Sequence, residues 1–207
     1  MKLVDLTHPL IGRAVQMRIT PRQVPLRSDR TAYTGVIYDL QGDSMQGSYI
    51  DFPGHILETD DGQRGDTADL ADFYRMDATV IRLDRPSGSG GVTADDLEQA
   101  CGGMPETPVV IVNALGAREP MDIKFRSVWL TMDAVEWIIR CGCRILVSDV
   151  YESPALDGVF LRLFQAGVTA VCEPYRLHRL TASRVKLTIA FPKIPATQLS
   201  CALLAEF

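Results

Sequence analysis

The feature that most constrains the fold is an alternation, between residues 78 and 172, of strand-length apolar runs with segments of helical periodicity. Residues 78–83 and 109–113 are compact and rich in β-branched side chains. Between them Thr93 and Asp96 form a capping-box pattern ahead of a helix. Thr131 can cap a second helix, in which Ala134, Val135, Ile138 and Ile139 share a face, Gly142 ends it, and residues 144–148 read as the next strand. A helix over 156–166, Gly167 and a strand over 168–172 repeat the pattern. Alternation of this kind implies an α/β domain whose mixed or partly parallel sheet carries helices against it. Further β-like runs lie at 2–6, 33–40 and 46–51 before this region, and at 184–190 and 199–206 after it. The most linker-like stretch, 86–91, is too short to divide the chain, so residues 1–207 are expected to form a single domain.

Composition narrows the partners. The chain has 207 residues and a formal net charge of −5 with acids and bases interspersed, so no basic stripe is available to a phosphate backbone. Its apolar stretches fall far short of the roughly 20 residues that cross a bilayer, and no signal segment precedes the first strand-like run. These readings predict a cytoplasmic protein that meets neither nucleic acid nor membrane. Five cysteines are an odd number, and Cys141-Gly142-Cys143 is not a zinc-ribbon pair, so free thiols are expected. Gly88-Ser89-Gly90-Gly91 lacks the pattern of a phosphate cradle and reads as a turn.

The segment Asp51-Phe52-Pro53-Gly54-His55 carries the most chemistry. A carboxylate and an imidazole four residues apart, separated by a Pro-Gly turn after a strand, can converge on one ligand or exchange a proton. Spacing alone equally allows Asp51 to cap the turn and His55 to bond locally.

This segment resembles the end of the HxGTHxDxPxH signature of the metal-dependent cyclase / kynurenine formamidase family, and Val4-Asp5-Leu6-Thr7-His8-Pro9-Leu10 is similar to that family's opening. Asp61-Gly62, residues 67–70, residues 129–153 with Asp149 and Ser153, and residues 167–177 with Glu173 follow in the family's order. The resemblance implies a mixed, barrel-like sheet flanked by helices, of the swivelling β/β/α type, and a homodimer or homotetramer. It also implies a divalent metal held by two histidines and the aspartate of the signature, completed by a later histidine and a glutamate. Here Met45 and Tyr49 stand where the leading histidines belong, and residues 159–161 offer no later histidine. A thioether and a neutral phenol are poor substitutes for imidazole. No metal or other cofactor is therefore expected, although Asp51, His55 and Glu173 leave room for a weakly held divalent ion.

On this reading Asp51, His55, Tyr49 and Glu173 form a catalytic acid/base set, and Met45, Phe52, Asp149 and Ser153 contact the substrate. With no ion to neutralise them, Asp51 and Glu173 would be close like charges, raising the proton affinity of one of them or drawing a proton onto His55. Tyr49 could donate to a developing oxyanion as a metal would polarise a carbonyl, or simply fill the space that a metal leaves. His8 reads as a turn residue, His178 as a surface residue, and the arginines of residues 17–30 as a solvated loop. The function implied is acid/base catalysis of cyclisation, elimination or hydrolysis at a carbonyl compound, apolar or aromatic in character. The alternatives are a metal-dependent amide or lactone hydrolase of arylformamidase type, and a non-catalytic relative that binds a small molecule.

Overall fold

The computed structural model of the protein describes residues 1–10 and 17–207. In chain order its elements are β1 (Leu3–Asp5), β2 (Arg18–Arg27), β3 (Ala32–Gln41), β4 (Tyr49–Asp51), β5 (Met76–Arg82), β6 (Gly90–Val92), α1 (Ala94–Cys101), β7 (Val109–Asn113), β8 (Val128–Leu130) and α2 (Met132–Arg140). They continue as β9 (Ile145–Ser148), α3 (Val159–Gln165), β10 (Thr169–Cys172), β11 (Arg184–Ala190), β12 (Gln198–Ser200) and β13 (Ala202–Glu206). Nine strands form one sheet in the order β1-β13-β11-β5-β7-β9-β10-β4-β12. Its centre, β5-β7-β9-β10, is parallel, as the helix-strand alternation requires. Antiparallel strands extend it on both sides.

One connection dictates the sheet's curvature. β12 occupies one edge and β13 lies next to the other, yet only Cys201 separates them in sequence. A flat nine-stranded sheet would hold these strands tens of ångströms apart at about 4.8 Å per strand, so the sheet must curl until its ends approach. The Cys201 amide donates to the Ser48 carbonyl at 2.8 Å and the Leu6 amide to the Leu203 carbonyl at 2.9 Å, sealing that junction. The expected mixed, barrel-like sheet flanked by helices is thus the architecture found.

The pleat divides the core in two. Val109, Ile111, Val147, Val171, Ile50 and Phe52 point into the curl, with Leu187, Ile189 and Leu203. Val110, Val112 and Leu146 point outward onto Leu97 of α1, Val135 and Ile138 of α2 and Leu163 of α3. Helix α1 begins with the expected capping box, Thr93 accepting from the Asp96 amide and Asp96 from the Thr93 amide. Thr131 takes a different role from the one expected: its hydroxyl donates to the Val92 carbonyl at 2.9 Å and joins α2 to the small parallel sheet of β6 and β8.

The arginine-bearing stretch after residue 17 is a second correction. It is not a loop but the strand β2, paired along all ten residues with β3 in a separate two-stranded ribbon. Pro21 and Pro25 disguise it in sequence, and a strand with a free edge accommodates them. Similarly, the closing run at 199–206 is two strands broken at Cys201, and the helix expected from residue 156 begins at Val159. Among the described residues no helix is long and apolar enough to cross a membrane.

Candidate active site

A cleft of about 350 Å³ opens beside β4 and beyond the carboxyl ends of β9 and β10, the place where ligands meet open α/β sheets. Strand alternation selects its floor. Because Ile50 and Phe52 turn into the core, Tyr49 and Asp51 face the other way, joined there by Cys172 of β10 and by Gln198 of β12. The Pro53–His55 turn, with Pro at its first position, then carries His55 to the exposed rim. Glu173 follows β10 with φ +52, a left-handed conformation that costs a non-glycine residue about 1 kcal/mol or more.

Asp51 is buried, 2% exposed. Its Oδ2 accepts from the Cys172 thiol at 3.5 Å, whereas Oδ1 makes no hydrogen bond of acceptable geometry among the described residues. Burial raises the proton affinity of Asp51. The neighbouring His55 opposes that rise, as do donors from Gln198 and Cys172. Burial likewise lifts Glu173, with His8 opposing, although its side chain is open to water at the cleft mouth. Tyr49 is pushed far above the ordinary phenol range by burial and then by Cys172, Asp51 and Glu173, so it remains a hydrogen-bond donor and never a base. Cys172 is held as a thiol for the same reason, burial first.

The walls are apolar and aromatic. Tyr151 and Phe160 stack with centroids 4.8 Å apart, the Tyr151 hydroxyl donating to the Val171 carbonyl at 2.6 Å; Ile56, Ile123 and Phe125 complete the lining. Arg126, at φ +50, stands at the mouth with its guanidinium 4.9 Å from the centre of the Phe125 ring, and among the described residues it makes no ion pair.

Of the residues expected from sequence, Asp51, His55, Tyr49, Glu173, Met45 and Asp149 line this one cleft. Met45 is exposed at its rim. Asp149 is a wall with both oxygens engaged, accepting from the Ala114 amide at 2.8 Å and the Leu115 amide at 3.1 Å. Phe52 and Ser153 do not reach the cavity. Phe52 falls on the opposite pleat and packs edge-on against Phe73 and Phe191 in the core. Ser153 is buried past the cleft wall, where its hydroxyl donates to Asp157 at 2.7 Å. Its neighbour Glu152 lines the cavity instead while accepting from the Val159 amide at the start of α3. His8 lies outside the cleft, its amide donating to Ser48 and its ring edge-on to Tyr175. Gln198, Cys172, Tyr151 and Phe160 were not anticipated. Sheet register and helix docking bring them in; the sequence shows Cys172 and Phe160 only as members of a strand over 168–172 and a helix over 156–166.

A curled mixed sheet with an acid-lined cleft past its parallel strands places the chain among α/β proteins of one architecture. The model of the Cyclase family matches residues 4–153, and the chain belongs to that family. No curated protein matches it. Among solved structures it is similar to a "predicted metal-dependent hydrolase" from Bacillus stearothermophilus, with 18% identity, a TM-score of 0.71 and coverage of 99% of this chain and 97% of that one. It is also similar to isatin hydrolase A from Labrenzia aggregata, bound to benzyl benzoate, at 18% identity and TM-score 0.70 over 99% and 93% of the two chains. Isatin hydrolase A from Ralstonia solanacearum gives 18% and 0.70 over 99% and 91%. At these identities the likeness establishes the shared fold.

The donors present do not compose a metal centre of the pattern the family resemblance implies. Among the described residues no group of three or more His, Cys, Asp or Glu side chains is placed to hold an ion. Where imidazoles would be needed stand an exposed thioether, Met45, and a buried phenol, Tyr49.

Proposed function

We propose that this protein is an acid/base enzyme of hydrolase or cyclase type, acting at the carbonyl of a small aromatic compound through its own side chains. The observation that carries the proposal is the buried Asp51 carboxylate, whose Oδ1 makes no hydrogen bond of good geometry among the described residues, on the floor of an aromatic cleft with His55 beside it. An orphaned buried acceptor costs about 1–3 kcal/mol and is retained where a ligand meets it. In this reading the deprotonated member of the Asp51–His55 pair takes a proton from the attacking water, hydroxyl or acidic C–H. The protonated member returns one to the leaving group. Tyr49, held as a phenol, donates to the oxygen that gains charge. Tyr151 and Phe160 supply a flat wall for a ring, and Arg126 suits a substrate or product carboxylate.

The isatin hydrolases and the metal-dependent hydrolase of the same fold point the substrate search toward cyclic and N-acyl aryl amides and aryl lactones. The test is turnover of such a panel by the purified chain, its Asp51→Asn variant and its His55→Ala variant, each with and without a chelator. Hydrolysis or ring closure that survives the chelator and is lost in both variants supports the proposal. Activity abolished by the chelator and restored by zinc or manganese would transfer it to metal-dependent hydrolysis. Tight ligand binding without turnover, indifferent to both substitutions, would make the protein a non-catalytic binder.

We also propose that the chain pairs with a second copy of itself. The β2–β3 ribbon carries Ile19, Val36, Tyr38 and Leu40 on one face by its register, all about half or more exposed, and a lone two-stranded ribbon is marginal in water. Charge placed there, as in Val36→Asp with Tyr38→Asp, should halve the mass measured by light scattering.

A further inference from the structure

Gln198 is an uncharged residue at the centre of the acid/base pair, and its neighbours fix which way its amide points. It lies on β12 in register with Asp51 of β4 and is 6% exposed. The Ser44 hydroxyl donates to Gln198 Oε1 at 2.5 Å. The Gln198 Nε2 faces His55 Nε2 at 3.3 Å, and the same amide acts on Asp51 as a donor that favours its charged form. Turned the other way, the amide would set its carbonyl oxygen against the Asp51 carboxylate. The orientation with Oε1 toward Ser44 gives the Ser44 hydroxyl an acceptor and turns the N–H groups toward His55 and the Asp51 carboxylate, since an amide nitrogen has two hydrogens to give and its oxygen accepts.

A ring nitrogen that faces an N–H donor must offer a lone pair. We infer that Gln198, anchored by Ser44, is a positioning residue that holds neutral His55 in the tautomer with its proton on Nδ1 and its Nε2 lone pair bound to the amide. The ring therefore turns its N–H away from Gln198, and the Nε2 lone pair can take up a proton only by giving up its bond to the amide. Orienting an imidazole through the bond its other nitrogen makes is a general device. In this chain a side-chain amide takes the part a carboxylate or carbonyl usually plays. Its consequence for turnover rests on the acid/base reading above; the tautomer itself can be read without any substrate.

The experiment is a two-bond proton–nitrogen correlation spectrum of the nitrogen-15-labelled chain near pH 8, where an ordinary imidazole is neutral. Each ring nitrogen then reports whether it carries a proton. Only three histidines are present, His8, His55 and His178, and His55→Ala assigns the signal in question. The expected result is a protonated Nδ1 and a bare Nε2 at His55. Gln198→Glu, which offers an acceptor where the amide donates, should move the proton to Nε2. Gln198→Ala should leave the mixture of tautomers typical of a free imidazole, so the inference is still tested if the glutamate variant does not fold. A proton on Nε2 in the unaltered chain, or a His55 signal that Gln198→Ala does not change, overturns it. The expected tautomer together with unimpaired turnover in His55→Ala would instead refute the acid/base reading and leave this inference standing.

Discussion

Two carboxylates border the same cleft under opposite terms. Asp149, just past β9, is half-buried and gives both oxygens to backbone amides, those of Ala114 and Leu115. Asp51, on β4, is more deeply buried, but its partners are a weak thiol donor and a side-chain amide, and Oδ1 has no bond of good geometry among the described residues. Burial raises the proton affinity of both, to about 7 for Asp149. The difference teaches how to separate a structural acid from a working one. A fixed backbone donor holds a loop in place, whereas a side-chain donor can be surrendered to a ligand.

The widest separation between the two is expected in turnover. Asp51→Asn should lower it by roughly 10²–10⁴, the usual worth of a general acid or base, while leaving the urea midpoint unchanged or higher because a poorly paired buried charge has gone. If stability falls instead and turnover survives, Asp51 is the structural acid and the comparison inverts.

The next effect lies in stability. Asp149→Ala orphans two buried amides at about 1–3 kcal/mol each, so urea unfolding should lose on the order of 2–5 kcal/mol. Asp149→Asn, which keeps one acceptor, should lose less. A loss below about 0.5 kcal/mol, the level of an ordinary surface change, would mean that the loop is held elsewhere.

Acidity sharpens the contrast further. A carboxyl whose folded pKa is about 7 binds its proton more tightly in the native state than in the unfolded chain. Its contribution to stability is full below the ordinary aspartate range and is lost as pH rises through about 7. Unfolding followed at several pH values should therefore show the native protein weakening relative to Asp149→Asn from about pH 4 to 7 and running parallel above that. A gap that does not change with pH would show that the two amides hold Asp149 ionised throughout.

The smallest effect concerns ligand affinity. Arg126→Ala should weaken calorimetric binding of an aromatic carboxylate such as benzoate by about tenfold, a charged hydrogen bond's share, and leave the neutral amide benzamide unchanged. Equal weakening of both would reduce Arg126 to a packing role.

How much of this was legible depended on range along the chain. The Thr93–Asp96 capping box, β7 and β11 were readable because local periodicity and capping decide them. Asp51 and His55 were readable because a turn between near neighbours brings them together. Phe52 was misplaced because its neighbourhood in sequence suggested the cleft, while the pleat sends adjacent residues to opposite faces. Ser153 was misplaced because its neighbour Glu152 takes the place at the cleft while Ser153 bonds Asp157. Gln198 could not be found by inspection: its place beside His55, 143 residues away in sequence, depends on the pairing of β12 with β4. The ribbon's β2 was hidden by prolines that a central strand would reject but a free edge accepts.

The single-residue step at Cys201 has a kinetic consequence. Because β12 completes the cleft floor while β13 pairs with the first strand, neither the site nor the closed sheet can exist until this late segment has docked on both sides at once. Folding of this chain should be slow for its size, governed by long-range closure. An intermediate that lacks the closing strands would present open β edges to its neighbours before it presents a working cleft to any substrate.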